Sequence, residues 1–218
     1  QTSLAKFLFI AAADDNPALD THDIPHFFQH LLERVDWTRD LHFQTRTTID
    51  TLDYSGSGWN AGSKVVIACR GDQKRALKAE LPDGFTLPAG FSDPHFCQPG
   101  ILAVSAPKFE VEKTAREQAE QFCRALDGPD LQHIPLILLV DDGRFTAASL
   151  NNFVWVAFTR ANPSHDVYGI RAFTEHKHWG SRGPLVIDAR KKPHHAPELE
   201  VDPDVQKRVE KLLSGYKF

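Results

Sequence analysis

Residues 135–166 read PLILLVDDGRFTAASLNNFVWVAFTRANPSHD, and the fold turns on this stretch. Leu136 to Val140 is an apolar run of strand length, and Asp141 and Asp142 open a turn after it. A helix near Ser149 to Arg160 follows, with Leu150, Phe153, Val154, Ala157 and Phe158 spaced for one packing face. Arg160, a second turn and Asp166 close the segment. Working outward, Lys6 to Asp40 (KFLFIAAADDNPALDTHDIPHFFQHLLERVDWTRD) carries the same parts in the same order. Asp14 and Asp15 stand where Asp141 and Asp142 do, Arg34 where Arg160 does, and Asp40 where Asp166 does. Each copy then runs through a Gly-rich turn into a further strand, at Gly62 to Cys69 and Gly183 to Arg190. A repeat of this size constrains architecture before any single residue is interpreted. It predicts an α/β fold of two related lobes, each a mixed or mostly parallel sheet with packed helices. The lobes are expected at residues 1–75 and 101–218, with 76–100, dense in Pro and Gly, as a linker between them.

The remaining elements follow from local chemistry. Phe7 to Ala12 suits a strand buried on both faces. Thr21 or Asp23 can cap a helix over Pro25 to Val35, with Pro25 in the first turn where its missing N–H costs nothing. Thr45 to Tyr54 reads as a strand or extended edge, and Ile101 to Ser105 as another strand. Val111, Ala115, Ala119, Phe122 and Leu126 mark an amphipathic helix stopped by Gly128 and Pro129. Asp202 can cap a last helix, Pro203 to Leu213, packing through Val205, Val209 and Leu212.

The chain has 218 residues, 41% of them hydrophobic and 25% charged, which is ordinary globular composition. A formal net charge of -4 leaves no basic footprint for nucleic acid or an anionic membrane. The three cysteines have no CxxC spacing, so neither a disulfide framework nor a zinc ribbon is indicated, and a cytoplasmic location is expected. No apolar run approaches the roughly 20 residues of a membrane span. The complete lack of Met reads as a piece of a longer protein.

Candidate chemistry lies in three places. Asp14, Asp15, Asp141 and Asp142 stand at strand ends, where open α/β sheets place ligand crevices; the structural alternative is that they cap the following turns. His22, His26 and His30 share helical spacing, and His176, His178, His194 and His195, with Glu175 and Glu198 nearby, form a second group. Either group is a metal-site candidate, against a solvated surface as the alternative. GSGWNAG at Gly56 to Gly62 has the glycines of a phosphate loop, but a strand follows where that motif needs a helix N-terminus, so a tight connection is the better reading.

AKFLFIAAADDNPALDTHDIPHFFQHLLERVDWTRDLHF at 5–43, with TTIDTLDYSGSGWNAGSKVVIA at 47–68, resembles the C-terminal lobe of the UbiD carboxy-lyases, the 3-polyprenyl-4-hydroxybenzoate decarboxylase family. Residues 135–195 look like a diverged copy, departing after Asp142 where Gly143 and Arg144 stand. The resemblance implies a decarboxylase of aromatic or α,β-unsaturated acids. It implies that prenylated FMN, a divalent metal and potassium sit on an upstream catalytic domain, with no cofactor held by this chain. The lobe would then supply homo-oligomer contacts and part of the substrate cleft, without activity alone. The alternatives are a non-catalytic binding or interaction module, or a metal-binding module, derived from that lobe.

Overall fold

The computed structural model describes residues 5–197 and 201–215. β1 (Phe7–Ala11), α1 (Ile24–Arg34), β2 (Leu41–Thr48) and β3 (Ala61–Cys69) make a first unit, a three-stranded sheet of order β1-β3-β2. The chain continues through β4 (Ser92–Gln98), β5 (Ile101–Ser105), α2 (Glu112–Ala125), β6 (Leu136–Val140), α3 (Gly143–Ala147), α4 (Leu150–Thr159) and α5 (Pro163–Asp166). β7 (Val167–Gly169), the hairpin of β8 (Ala172–Glu175) and β9 (His178–Ser181), β10 (Leu185–Asp188) and α6 (Pro203–Leu213) complete it. A five-stranded sheet has the order β4-β5-β6-β10-β7.

The two sheets contain the same unit. β3 is parallel to β1 and antiparallel to β2, and β10 is parallel to β6 and antiparallel to β7. The registers agree: Val65 pairs with Phe7 and Phe43, and Leu185 with Leu136 and Gly169. The turn aspartates also repeat their bonds. Asp40 accepts the Asp36 N–H at 2.8 Å, and Asp166 accepts the Asn162 N–H at 2.6 Å. Asp15 accepts from the Gly71 N–H and Asp141 from the Lys191 N–H, both at 2.8 Å, just beyond the ends of β3 and β10.

Local chemistry sets the helices. Asp23 caps α1 through the His26 N–H, Ser149 caps α4 through the Asn152 N–H, and Asp202 caps α6 through the N–H groups of Asp204 and Val205. The five-stranded sheet is covered on both faces, which is why β5 and β6 are continuously apolar. Leu102, Val104, Ile137, Leu139 and Val186 pack with Ala119, Phe122 and Leu126 around α2. Ile101, Ala103, Leu136, Leu138 and Ile187 join Phe28, Leu31, Val65 and Phe153 in a core that both units share. Burying each large side chain there contributes roughly 1.5–3 kcal/mol. Polar bonds cross the same boundary, among them the Trp37 indole N–H to the Pro135 carbonyl at 2.9 Å and Lys6 Nζ to the Thr159 carbonyl at 3.1 Å.

Four expectations need correction. β1 is an edge strand, half-buried, with Ile10 44% exposed, so it is not covered on both faces. Ser92–Gln98, inside the stretch read as linker, is β4; antiparallel pairing with β5 holds it despite Pro94, through two register shifts. The strand expected over Thr45 to Tyr54 is displaced: β2 starts at Leu41 and ends at Thr48, and residues 49–60 turn. Val205, Val209 and Leu212 are exposed on α6, which buries no residue.

Candidate functional site

A cleft of about 1150 Å³ opens between the first unit and α4. One wall is aromatic. Phe9 meets Phe28 and Phe158 edge-on at 5.1 and 5.3 Å between ring centroids, and Phe7 meets Phe158 at 5.1 Å. These rings are held by β1, α1 and α4, three elements of the shared core. Trp155 lies at the mouth, half exposed, with the Arg160 guanidinium 4.9 Å from its ring centroid.

The polar wall is built on Lys6, which is 8% exposed. Its ammonium donates to Asp53 at 3.1 Å, to Ser55 Oγ and to the Thr159 carbonyl, so all three of its hydrogens are engaged. Ser55 Oγ in turn donates to Asp53 at 2.7 Å. Burial lowers the Lys6 pKa, while the Asp53 charge opposes that shift. The turn 53–55 held by Lys6 separates the cleft from a second hollow of about 680 Å³, and lines both. Gly56 is required in this turn, since a Cβ there would lie 2.4 Å from the Ala61 carbonyl oxygen.

The second hollow is floored by a buried pair. Lys192 Nζ lies 3.3 Å from Asp166 Oδ2 and donates to the carbonyls of Arg160 and Asp188 at 3.1 and 3.2 Å. Burial raises the Asp166 pKa to about 6 against the pull of Lys192. Behind it, Arg190 pairs with Asp188 at 2.6 Å, both fully buried, and bonds to Gln118, Pro107 and Ala115. His195, at the cleft edge, accepts the Lys192 N–H on Nδ1 at 3.3 Å. Burial and the neighbouring cations push its pKa down to about 3, so the ring is neutral and Nε2 carries the hydrogen.

The residues singled out in the sequence fall as follows. Asp15 and Asp141 bind backbone N–H groups, Asp142 caps α3 through the Phe145 N–H, and Asp14 reaches only the exposed Arg70 at 3.8 Å. None of the four lines either hollow. Of the repeated arginines, Arg34 pairs with Glu33 at 3.1 Å and Arg160 with Asp141 at 2.9 Å. His176 sits in the β8–β9 turn, His178 Nε2 lies 3.0 Å from the Thr38 carbonyl, and His194 stacks edge-on against His195 at 5.0 Å. Glu198 lies outside the described residues. His22 binds Asp20 at 3.0 Å, whereas His30 is buried. Among the described residues no three His, Cys, Asp or Glu side chains converge on a metal-sized point. The Gly56–Gly62 loop runs straight into β3, so the helix N-terminus that a phosphate loop needs does not follow it. Periodicity signals none of Lys6, Asp53, Ser55 and Lys192; Lys6, Asp53 and Ser55 fall within the stretches that carry the family resemblance, but nothing in those stretches singles them out.

Residues 1–69 match the family model described as the 3-octaprenyl-4-hydroxybenzoate carboxy-lyase C-terminal domain. They carry the UbiD-type C-terminal domain. Beyond this UbiD domain, similarity extends over nearly the whole chain. A Chlamydia pneumoniae protein named as a 4-hydroxybenzoate decarboxylase subunit is 32% identical over 220 residues, 99% of this chain and 34% of that protein. An uncharacterized Chlamydia trachomatis serovar D protein is 31% identical over 218 residues, 99% of this chain and 35% of its own length. The chain thus spans about a third of the length of the curated relatives it matches. The open form of vanillic acid decarboxylase from Sedimentibacter hydroxybenzoicus aligns with TM-score 0.33 and 14% identity, over 58% of this chain and 30% of that one. No helix among the described residues is long and apolar enough to cross a membrane.

Proposed function

We propose that this chain is the C-terminal, cleft-forming part of a larger non-oxidative decarboxylase of UbiD type, acting on an aromatic or α,β-unsaturated carboxylic acid. The observation that carries the reading is the match of residues 1–69 to the carboxy-lyase C-terminal domain, continued across the chain by a relative named as part of a decarboxylase. The aromatic wall of the cleft supports an aromatic substrate, since flat rings pack edge-to-face against such side chains. Prenylated FMN, a divalent metal and potassium belong, on this reading, to an upstream domain, and the chain's own task is to shape and close the substrate cleft. Exposed Leu52, Tyr54 and Trp59 on the 50–60 turn supply an apolar surface for that domain or for another copy of the chain.

The test is complementation. The upstream region of the parent protein, loaded with prenylated FMN, is assayed for release of CO2 from 4-hydroxybenzoate with and without this chain. A gain in kcat/KM on adding the chain is the expected result. An unchanged rate, with no association between the two by sedimentation, refutes the assignment and leaves the interaction-module alternative.

A further inference from the structure

Among the described residues, Lys6 is the buried amine that lines the aromatic cleft. The amine is flanked by a carboxylate at 3.1 Å and a serine hydroxyl, both on one turn, and faces a hollow large enough for a substituted benzene ring. We propose that Lys6 captures a small aromatic aldehyde or ketone in this cleft as a protonated imine held by Asp53. The ring of the ligand packs among Phe7, Phe9 and Phe158, and its carbonyl carbon reaches Nζ at the foot of that wall.

The step balances without an outside reagent. The ammonium passes one proton to Asp53, the freed lone pair attacks the carbonyl carbon, and a second proton passes from nitrogen to the former carbonyl oxygen, giving the carbinolamine. Asp53 returns that proton to the carbinolamine hydroxyl, which leaves as water, while the C=N bond forms. Of the three ammonium hydrogens, one stays on the iminium nitrogen and two depart in the water. The positive charge remains on nitrogen, so the buried ion pair with Asp53 survives the reaction. That matters because a carboxylate left alone at this depth would be strongly penalised. Burial also favours the unprotonated amine that must attack, and each unit by which an amine pKa falls raises the free-amine fraction about tenfold at neutral pH. This inference rests on the cleft alone, so it and the decarboxylase reading can fail separately.

The experiment is reductive trapping on the whole 218-residue chain. The protein is incubated with 4-hydroxybenzaldehyde and cyanoborohydride, digested, and each lysine is quantified by mass spectrometry. Expected is labelling of Lys6 well above that of exposed Lys108 and Lys113, despite its burial. The Lys6→Arg variant, which keeps the charge opposite Asp53, should lose the preferred site and leave the surface labelling unchanged. Labelling that simply follows exposure, with Lys6 at or below the surface lysines, overturns the proposal. Should Lys6→Arg fail to fold, the ratio of Lys6 to surface labelling within the unaltered chain still decides.

Discussion

Replacing Asp166 with Asn tests the buried pair beneath the second hollow. The amide keeps an oxygen for the Asn162 N–H but removes the charge 3.3 Å from Lys192. Two magnitudes compete. Removing one partner of a buried ion pair ordinarily costs about 3–5 kcal/mol, because the other charge is orphaned. Here Lys192 keeps the carbonyls of Arg160 and Asp188, and the Asp166 pKa stands at about 6 rather than 3.8, so burial penalises the carboxylate more than Lys192 rewards it. The folded state therefore binds this proton more tightly than the unfolded chain does. Wild-type stability contributed by the acid form is complete below the unfolded pKa near 3.8 and is lost as pH rises through about 6, a change of about 3 kcal/mol over that window. Asp166→Asn lacks the titration, so its stability relative to wild type should improve by about 2–2.5 kcal/mol between pH 4 and pH 8. His195, whose depressed pKa acts in the opposite sense, is common to both proteins and cancels. Urea unfolding of both proteins at pH 4, 6 and 8 measures the difference. Parallel stability curves, or a variant that falls further behind as pH rises, would refute the reasoning.

Arg190→Met should cost about 3–5 kcal/mol in chemical denaturation, since it strands Asp188 in a fully buried site. Phe28→Ala should lose a similar amount, about 3–5 kcal/mol, by opening a cavity among Phe9, Phe153 and Phe158, and thermal melting would show it. In Gly56→Ala the new methyl must displace the Ala61 carbonyl, and a loss of roughly 1–3 kcal/mol is expected. By NMR, the His195 ring should stay neutral on acidification until about pH 3.

Much of the fold is legible because its signals are local. The apolar run of β6, the Asp23 and Asp202 caps and the spacing of α4 each depend on residues a few positions apart. The repeated order of aspartates, helix and arginine is visible for the same reason, and Asp40 and Asp166 do make the same bond. What stays hidden depends on partners distant in the chain. Nothing within Ser92 to Gln98 announces a strand, because the pairing with β5 supplies its stability. Ile10 and Val205 are apolar in pattern, and only the packed structure shows that no neighbour covers them. The candidate site is the least readable part. Lys6 meets Thr159 across 153 positions, and the strand-end aspartates attract attention by spacing while their bonds prove structural; of the histidines singled out, His194 and His195 do line the hollows.

The reciprocal bonds at the boundary carry a consequence for how the chain comes apart. Trp37 holds the start of β6, Lys6 holds the end of α4, and Phe28 and Phe153 touch across the same seam. A protease cutting at the exposed Asp83-Gly84 turn would break the covalent thread, yet the fragments should travel together through gel filtration and separate only in denaturant.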